Sequence, residues 1–131
     1  MIDVYAPEGT FTEEHFGTVL ERLTECFLKW TDASELQVAR DNAGAFLHVL
    51  PADRVTAGGM RAQAVRVDVK VPEVVLSTIE RRQGFVSDAT KIVQALSDDR
   101  CERAWVTISN AVDGGWGLGG HGFTNAELDD F

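Results

Sequence analysis

The sequence predicts an α/β (α+β) fold in which two tandem βαβ units form a four-stranded mixed sheet with two helices on one face. Three observations support this prediction. Strand-like segments alternate with long helical patterns, the order strand, helix, strand occurs twice, and apolar and charged residues make up 44% and 25% of the chain, as in soluble globular domains. Because 131 residues suffice for one core, we predict a single domain over 1–131 with internal repeats at 1–62 and 63–131.

The first repeat begins with IDVYAP at residues 2–7, whose alternation of apolar and polar side chains is typical of a strand. Residues 16–30 place apolar side chains at three- and four-residue spacings, which predicts an amphipathic helix. The apolar segment GAFLHVL at 44–50, ended by Pro51, predicts the second strand.

The second repeat has the same order of elements. VRVDVKV at 65–71 and AWVTISN at 104–110 predict its strands, with a helix between them, and Pro72 follows the first strand as Pro7 does in the first repeat. Because βαβ crossovers are right-handed, two such units form one sheet with both helices on the same face. The other face of the sheet is then expected to be apolar and uncovered, which predicts association.

Smaller motifs predict how the helices begin and how the chain ends. Thr10 with Glu13 and Ser77 with Glu80 have the spacing of capping boxes at the two helix starts. The glycine-rich segment at 113–120 predicts a hairpin, and the acidic tail at 125–131 is expected to be a solvated end.

Two segments carry a family resemblance. WVTISNAVDGGWGLGG at 105–120 resembles the strand and hairpin that close a unit of the 4-oxalocrotonate tautomerase type, and PEG at 7–9 resembles the turn after that family's first strand. Over nearly its whole length the chain is similar to the fused, two-unit members of the tautomerase superfamily. The resemblance implies a homotrimer around a central axis, in which neighbouring copies cover the open sheet face.

The resemblance also implies a catalyst at the amino terminus, where the family has a proline whose neutral amine acts as a base or nucleophile. This sequence lacks that proline and begins with Met1. Because Ile2 is bulky, we expect Met1 to be retained, which leaves a primary amine with an ordinary pKa of about 7.7 to 8.0. Such an amine can accept a proton or form an imine with a carbonyl compound, so Met1 is the first candidate catalytic residue.

The arginines that hold substrate carboxylates in the family are replaced here. Thr10 and Val75 stand at the positions after the two turns, and Gly44 and Trp105 stand where the later strands open. The resemblance therefore implies weaker binding of an acidic substrate at these four positions.

Four other residues are candidates for the site. Arg40 and Arg103 lie shortly before the later strands and are candidate carboxylate-binding residues, unless both are solvated surface charges. Trp116 stands where the family has an aromatic residue over the active site and is a candidate substrate-binding residue, with packing at a subunit interface as the alternative. His48 is the second candidate catalytic residue, as a base near neutral pH, unless it is a structural histidine.

Other function classes are disfavoured by composition and spacing. The glycines at 115–120 have the GxGxxG spacing of a dinucleotide site, but no crossover helix and strand follow, and the three histidines lack a metal-ligand spacing. We therefore expect no cofactor and no metal. A net charge of −9 argues against nucleic acid as a partner.

Location is predicted from what the sequence lacks. No apolar run is long enough to span a bilayer, and no signal-peptide pattern opens the chain, so we expect no membrane partner and a cytoplasmic location. Cys26 and Cys101 are then expected to be buried thiols.

Three functional hypotheses remain open. The first is a tautomerase-like isomerase of a small 2-oxo acid or its enol, with weak activity because the proline is missing. The second is a non-catalytic binding or assembly protein on the same fold, and the third is a subunit that completes the active site of another chain. The resemblance favours the first.

Overall fold

Two long helices lie on one face of a four-stranded sheet in the computed structural model, which describes residues 1–130. The elements follow one another as β1 (Ile2–Pro7), α1 (Phe16–Trp30), α2 (Gln37–Asn42), β2 (Ala45–Leu50), β3 (Thr56–Ala57), β4 (Met60–Arg61), β5 (Ala64–Pro72), α3 (Ile79–Leu96), β6 (Arg103–Ala111), β7 (Trp116–Leu118), β8 (His121–Phe123) and α4 (Asn125–Asp129). Two short 3₁₀ turns, Glu13–His15 and Ala52–Arg54, precede α1 and β3.

The sheet has the strand order β2-β1-β5-β6 and is mixed, which confirms the predicted fold class. Each repeat supplies one parallel pair, β1 with β2 and β5 with β6, and the two repeats join through the antiparallel pair β1 with β5. Asp3 lies opposite Asp68 and Val4 opposite Val67, so equivalent residues of the two repeats are neighbours at a local twofold axis.

The core lies between the sheet and the helices α1 and α3. Phe85 of α3 is completely buried, and its ring meets that of Phe27 edge to face, with the ring centroids 6.1 Å apart. The sheet contributes buried aliphatic side chains, among them Ile2, Val4, Val65, Val67, Val69 and Val71. Their spacing of two residues places all of them on the helix-facing side.

The opposite face of the sheet is polar and aromatic, so the prediction of an apolar face was wrong. His48 Nε2 lies 2.8 Å from Asp3 Oδ1, and the His48 ring stacks on Tyr5 with 4.4 Å between centroids. Arg66 forms an ion pair with Asp68, two residues further along β5 on the same face. The reason is the alternation of the strands: when the valines of VRVDVKV face the helices, the charged residues between them must face away.

Neither predicted capping box is present. Thr10 is completely buried, and its hydroxyl donates to Gln63 Oε1 at 2.5 Å instead of capping a helix. At the start of α3 the cap is Thr78, one residue after Ser77, and its Oγ1 accepts from the Arg81 N–H at 3.2 Å.

The acidic side chains Glu127, Asp129 and Asp130 of the tail are exposed, as predicted, but the segment is also helical, which was not predicted. Residues 125–129 form α4, and Thr124 makes a capping box with Glu127 in which each side chain accepts a hydrogen bond from the backbone N–H of the other. Residue 131 of the predicted tail lies outside the described residues.

Candidate functional site

A cavity of about 390 Å³ opens where β1 begins and β5 ends. Its walls are the end of α1, the segment through α2, the end of β5, the β7–β8 hairpin and α4. The lining is mostly apolar and includes Phe27, Leu28, Leu36, Val38, Val71, Val75, Trp116, Leu118, Phe123 and Leu128. A cavity of this size and character is typical of a small-molecule site.

The hairpin and α4 close the side of the cavity formed by the second repeat. Trp116 pairs with Phe123 across the hairpin, which turns at Gly119 and Gly120 with positive φ angles of 61° and 86°. The Asn125 N–H donates to Asp113 Oδ1 at 2.8 Å, which ties the start of α4 to the turn before the hairpin.

Met1 is one of the residues that line this cavity. The amine donates to the Lys70 carbonyl oxygen at 3.1 Å, and the Lys70 N–H donates to the Met1 carbonyl oxygen at 2.9 Å. Desolvation by burial lowers the pKa of the Met1 amine from its ordinary value of 8.0, and the nearby Asp3 charge opposes that shift. The fraction of neutral amine near pH 7 is therefore larger than for a solvated terminus.

Two charged side chains line the cavity, and both are acidic. Asp32 follows α1 with a positive φ of 56°, and Asp129 ends α4. Among residues 1–130, the lining includes no lysine, arginine or histidine side chain.

The ending of α1 explains how Asp32 reaches this position. The Asp32 N–H donates to the Lys29 carbonyl at 3.2 Å and the Ala33 N–H donates to the Leu28 carbonyl at 2.9 Å, the hydrogen-bond pattern of a Schellman motif. This motif requires a left-handed residue at Asp32 and turns the chain toward α2 and the cavity.

The structure brings together two of the five predicted site residues. Met1 and Trp116 line the same cavity. His48 lies on the open sheet face, bound to Asp3 and stacked on Tyr5, and does not line the cavity.

The two predicted arginines lie elsewhere. Arg40 forms an ion pair with Glu25 and donates to the Ser34 carbonyl oxygen at 2.9 Å. Arg103 is exposed and pairs with Ala64 at the start of β5, whereas the cavity lies at the other end of that strand, near Pro72. Neither guanidinium lines the cavity of its own chain.

Some lining residues were not predicted. Asn42 and Asp32 lie in a segment without clear periodicity, so no sequence pattern pointed to them. Leu128 and Asp129 could have been predicted from the sequence. Thr124 and Glu127 have the spacing of a capping box, which indicates a helix in the tail.

The two cysteines are free and buried, as predicted. Burial raises the pKa of the Cys26 thiol to about 11 and raises that of the Cys101 thiol as well. Within residues 1–130, no three histidine, cysteine or acidic side chains come together as a metal site, and no helix has the length and apolar character to cross a membrane.

Comparison with solved structures identifies the fold. The structure of a native fused 4-OT superimposes on this chain with a TM-score of 0.78 at 16% sequence identity, over 98% of both chains. That of Pt0534 inactivated by 2-oxo-3-pentynoate superimposes with a TM-score of 0.79 at 18% identity, over 97% of this chain and 98% of that chain. A wild-type fused 4-OT that forms an asymmetric trimer superimposes with a TM-score of 0.75 at 17% identity, over 98% of both chains.

No protein-family model matches the sequence, and no curated protein is detectably similar to it in sequence. The structural likeness therefore carries the assignment. The chain has the fold of the fused 4-OT structures, which confirms the fold that the resemblance implied.

Proposed function

We propose that the protein is a tautomerase-like isomerase of a small 2-oxo acid or its enol, with Met1 as the proton-transferring group. The observation that carries this proposal is the position of Met1, which lines an apolar cavity together with Trp116. Burial favours the neutral form of the Met1 amine, which is the form that accepts a proton.

In the proposed reaction the amine moves one proton. The neutral amine takes the proton of the enol hydroxyl and, as an ammonium, returns a proton to the neighbouring carbon, so that the enol becomes the ketone. Trp116 forms an apolar wall beside the substrate and limits the entry of water. A methionine terminus lacks the ring that fixes a proline nitrogen, and misplacement by about 1 Å costs on the order of a hundredfold in rate, so we expect weak activity.

The direct test is ketonisation of phenylenolpyruvate, followed by ultraviolet absorbance. We expect a measurable rate for the wild-type chain and a rate lowered by about fivefold in Trp116→Ala, because an aromatic contact contributes about 1 kcal/mol. The matched control is Val112→Ala, since Val112 is 78% exposed and does not line the cavity. A wild-type rate equal to that of the buffer would contradict the proposal.

A second variant tests the role of the terminus. Inserting a proline between Met1 and Ile2 allows removal of the methionine and supplies a ring nitrogen at the cavity. We expect the ketonisation rate to rise at least about tenfold, equivalent to about 1.4 kcal/mol in the barrier. If the processed and folded variant gains nothing, the missing arginines limit the reaction more than the terminus does.

The alternative function is a non-catalytic binding or assembly protein. The observation that favours it is the absence of a guanidinium from the described lining of the cavity, because a 2-oxo acid carries a carboxylate that needs a charged partner. Tight binding of a small carbonyl compound by calorimetry, without turnover, would support this alternative. Turnover that appears only when the protein is mixed with a second, different chain would instead indicate that the protein completes the active site of that chain.

The other three predicted site residues do not line the cavity of their own chain, so each is proposed to act elsewhere. Arg40 and Arg103 are proposed to bind a substrate carboxylate in the cavity of a neighbouring chain, since neither lines its own. His48 is proposed as a base only for a substrate on the open sheet face, where Asp3 holds its ring. Substitution of Arg40 or Arg103 by alanine should lower the ketonisation rate of the assembled protein and leave that of a monomer unchanged, whereas substitution of His48 should lower the rate of the monomer as well.

We further propose that the protein is a homotrimer in the cytoplasm. The trimeric fused 4-OT with the same fold supports the assembly. Two buried cysteines that remain free thiols are consistent with a reducing compartment.

A further inference from the structure

We infer that the large cavity binds an amphipathic organic ammonium ion, with the apolar body of the ligand against the wall and its charged group beside Asp32 and Asp129. The inference goes beyond the proposed function, because it concerns a ligand of the opposite charge that is bound and not converted. It rests on an apolar cavity whose charged side chains and helix end are all negative.

The cavity itself holds the apolar part of the ligand. It has a volume of about 390 Å³, and its lining is mostly aliphatic and aromatic, with Leu28, Val71 and Trp116 among its members. Burial of apolar ligand surface against such a wall is favourable whatever the charge of the ligand. The volume lies near the lower end of the range for small-molecule sites, which suits a body of one or two rings.

Two carboxylates give the edge of the cavity a negative potential. Asp32 and Asp129 line it, and both residues are exposed, so their charges lie where the cavity meets solvent. Among residues 1–130, neither carboxylate forms an ion pair. Lys29 and Arg40, the basic residues nearest to Asp32 along the chain, each pair with a different acidic residue. An ammonium group at this edge therefore does not have to displace a cation of the same chain.

The end of helix α1 adds a negative charge that comes from the backbone. The helix has 15 residues, and the three residues that follow it, Thr31, Asp32 and Ala33, line the cavity. The aligned peptide dipoles of a helix place a partial negative charge at its C-terminal end. This end favours a cation in the cavity and disfavours an anion, and the effect is independent of the two carboxylates.

The remaining groups of the lining are compatible with a cation. Ring faces attract ammonium groups, and Trp116 provides an aromatic surface in the same lining. Met1 also lines the cavity, and burial lowers the pKa of its amine, so near pH 7 this amine repels a cationic ligand less than a solvated terminus would. A carboxylate ligand, by contrast, meets no lysine, arginine or histidine side chain in the described lining.

The test is calorimetry with three ligands that share an indole ring and differ in charge. Tryptamine is an ammonium ion at pH 7, as an ordinary primary amine is, whereas tryptophol is neutral and indole-3-propionate is an anion. We expect tryptamine to bind at least about fivefold more tightly than tryptophol, and indole-3-propionate to bind more weakly than tryptophol. The preference for tryptamine over tryptophol should shrink as the ionic strength rises, because salt screens exposed charges.

Variants locate the groups that produce this preference. Asp32→Asn and Asp129→Asn should each lower it about twofold, and asparagine tolerates the left-handed φ of 56° at residue 32. Trp116→Leu keeps an apolar wall and should weaken the binding of tryptamine about twofold more than that of tryptophol. Asp130→Asn is the control, since Asp130 is the exposed neighbour of Asp129 and does not line the cavity. Binding of tryptophol shows in each variant that the cavity is still formed.

Three outcomes would overturn the inference: no binding of tryptamine, equal affinity for tryptamine and tryptophol, or a preference that Asp130→Asn lowers as much as Asp32→Asn and Asp129→Asn do. Ketonisation of phenylenolpyruvate by the same preparation separates this inference from the proposed function. Selective binding of tryptamine without ketonisation would support the ammonium site and contradict the isomerase, and ketonisation without that selectivity would do the reverse. If both are observed, tryptamine should inhibit ketonisation competitively, and binding without competition would place the ligand elsewhere and overturn the inference.

Discussion

At Gly84 the absence of a side chain allows the two long helices to meet. A Cβ placed on Gly84 of α3 would lie 2.3 Å from Cη2 of the Trp30 ring on α1. The ring is held there because its Nε1 donates to Asp88 Oδ2 at 2.9 Å. We therefore expect Gly84→Ala to lower the free energy of unfolding by about 1 to 3 kcal/mol, as measured by urea unfolding.

Gly17 of α1 provides the matched control. A Cβ on Gly17 would meet nothing within 4 Å, so Gly17→Ala should raise the free energy of unfolding by about 0.5 kcal/mol through helix propensity alone. The same sign for both substitutions would mean that propensity, and not the contact with Trp30, decides the effect at Gly84.

The Met1 amine links pH to stability. Burial lowers its folded pKa below the ordinary value of 8.0, so the unfolded chain binds more protons in the interval between the two values. Stability therefore rises with pH through that interval, and the cost of burying the amine is present in full below the folded pKa. We expect the pH midpoint for acylation of Met1 to be lower in the native chain than in the urea-unfolded chain. Coincident midpoints would mean that the native amine is as solvated as the unfolded one.

The resemblance predicted Met1 and Trp116 as site residues from their positions in the family's pattern. The structure places both in the lining of one cavity, and their roles stay predictions. Arg40 was predicted from its position before a strand, but its guanidinium binds Glu25, since ion pairing between side chains is decided by tertiary structure. No periodicity in one sequence encodes such a contact.

At the scale of elements, α4 forms one wall of the cavity through Leu128 and Asp129. The helix has five residues and depends on its capping box, in which Thr124 Oγ1 accepts from the Glu127 N–H at 3.1 Å. We expect Thr124→Ala to destabilise the native chain by about 1 kcal/mol and to speed amide hydrogen exchange in α4. It should also weaken the binding of an apolar ligand, because part of the wall is lost.

Ser77→Ala is the control for this prediction. Ser77 precedes α3 and has the same capping-box spacing in sequence, but the structural cap is Thr78. The substitution should leave hydrogen exchange at the start of α3 nearly unchanged. Comparable effects of the two substitutions would show that sequence spacing, and not the observed hydrogen bonds, identifies the caps.

Long elements were predicted more successfully than short ones, for a physical reason. The strands and the two long helices bury a periodic set of apolar side chains, and this period is visible in the sequence. The helix α2 has no buried residue, and the strands β3 and β4 have two residues each, so their apolar pattern is too short to detect. The predicted cap at Thr10 is absent because its hydroxyl binds Gln63, a partner that is distant in sequence, and the cap of α3 lies one residue beyond the predicted Ser77.

In the whole molecule, the two repeats are related by a local twofold axis but their cavities differ. The β3–β4 hairpin of the first repeat lies beside a cavity of only about 150 Å³, whose lining includes Arg61, Gln63 and Glu102. Met1 lines the larger cavity and not the smaller one, which is why we place the proposed chemistry in one of two related positions.

The open sheet face has the composition of a surface that meets other copies. Its aromatic side chains Phe46 and Trp105 are 51% and 43% exposed, and they lie on β2 and β6, the two edge strands. Between them are the ion pairs His48 with Asp3 and Arg66 with Asp68. Interfaces commonly combine exposed aromatic residues with charged groups that fix the register of the partners.

We therefore expect a trimer at micromolar concentration by light scattering, and we expect Trp105→Arg to convert it to monomer. Trp105 is only half-buried in the single chain, so this substitution should cost the monomer less than the about 3 to 5 kcal/mol lost when a buried tryptophan is truncated. In the trimer it would place a cation without a partner inside an interface. Glu21→Arg is the control, because Glu21 is exposed on α1, which covers the other face of the sheet, and should leave the trimer intact. A wild-type monomer, or equal dissociation by both substitutions, would mean that the open face is not the surface through which the copies meet.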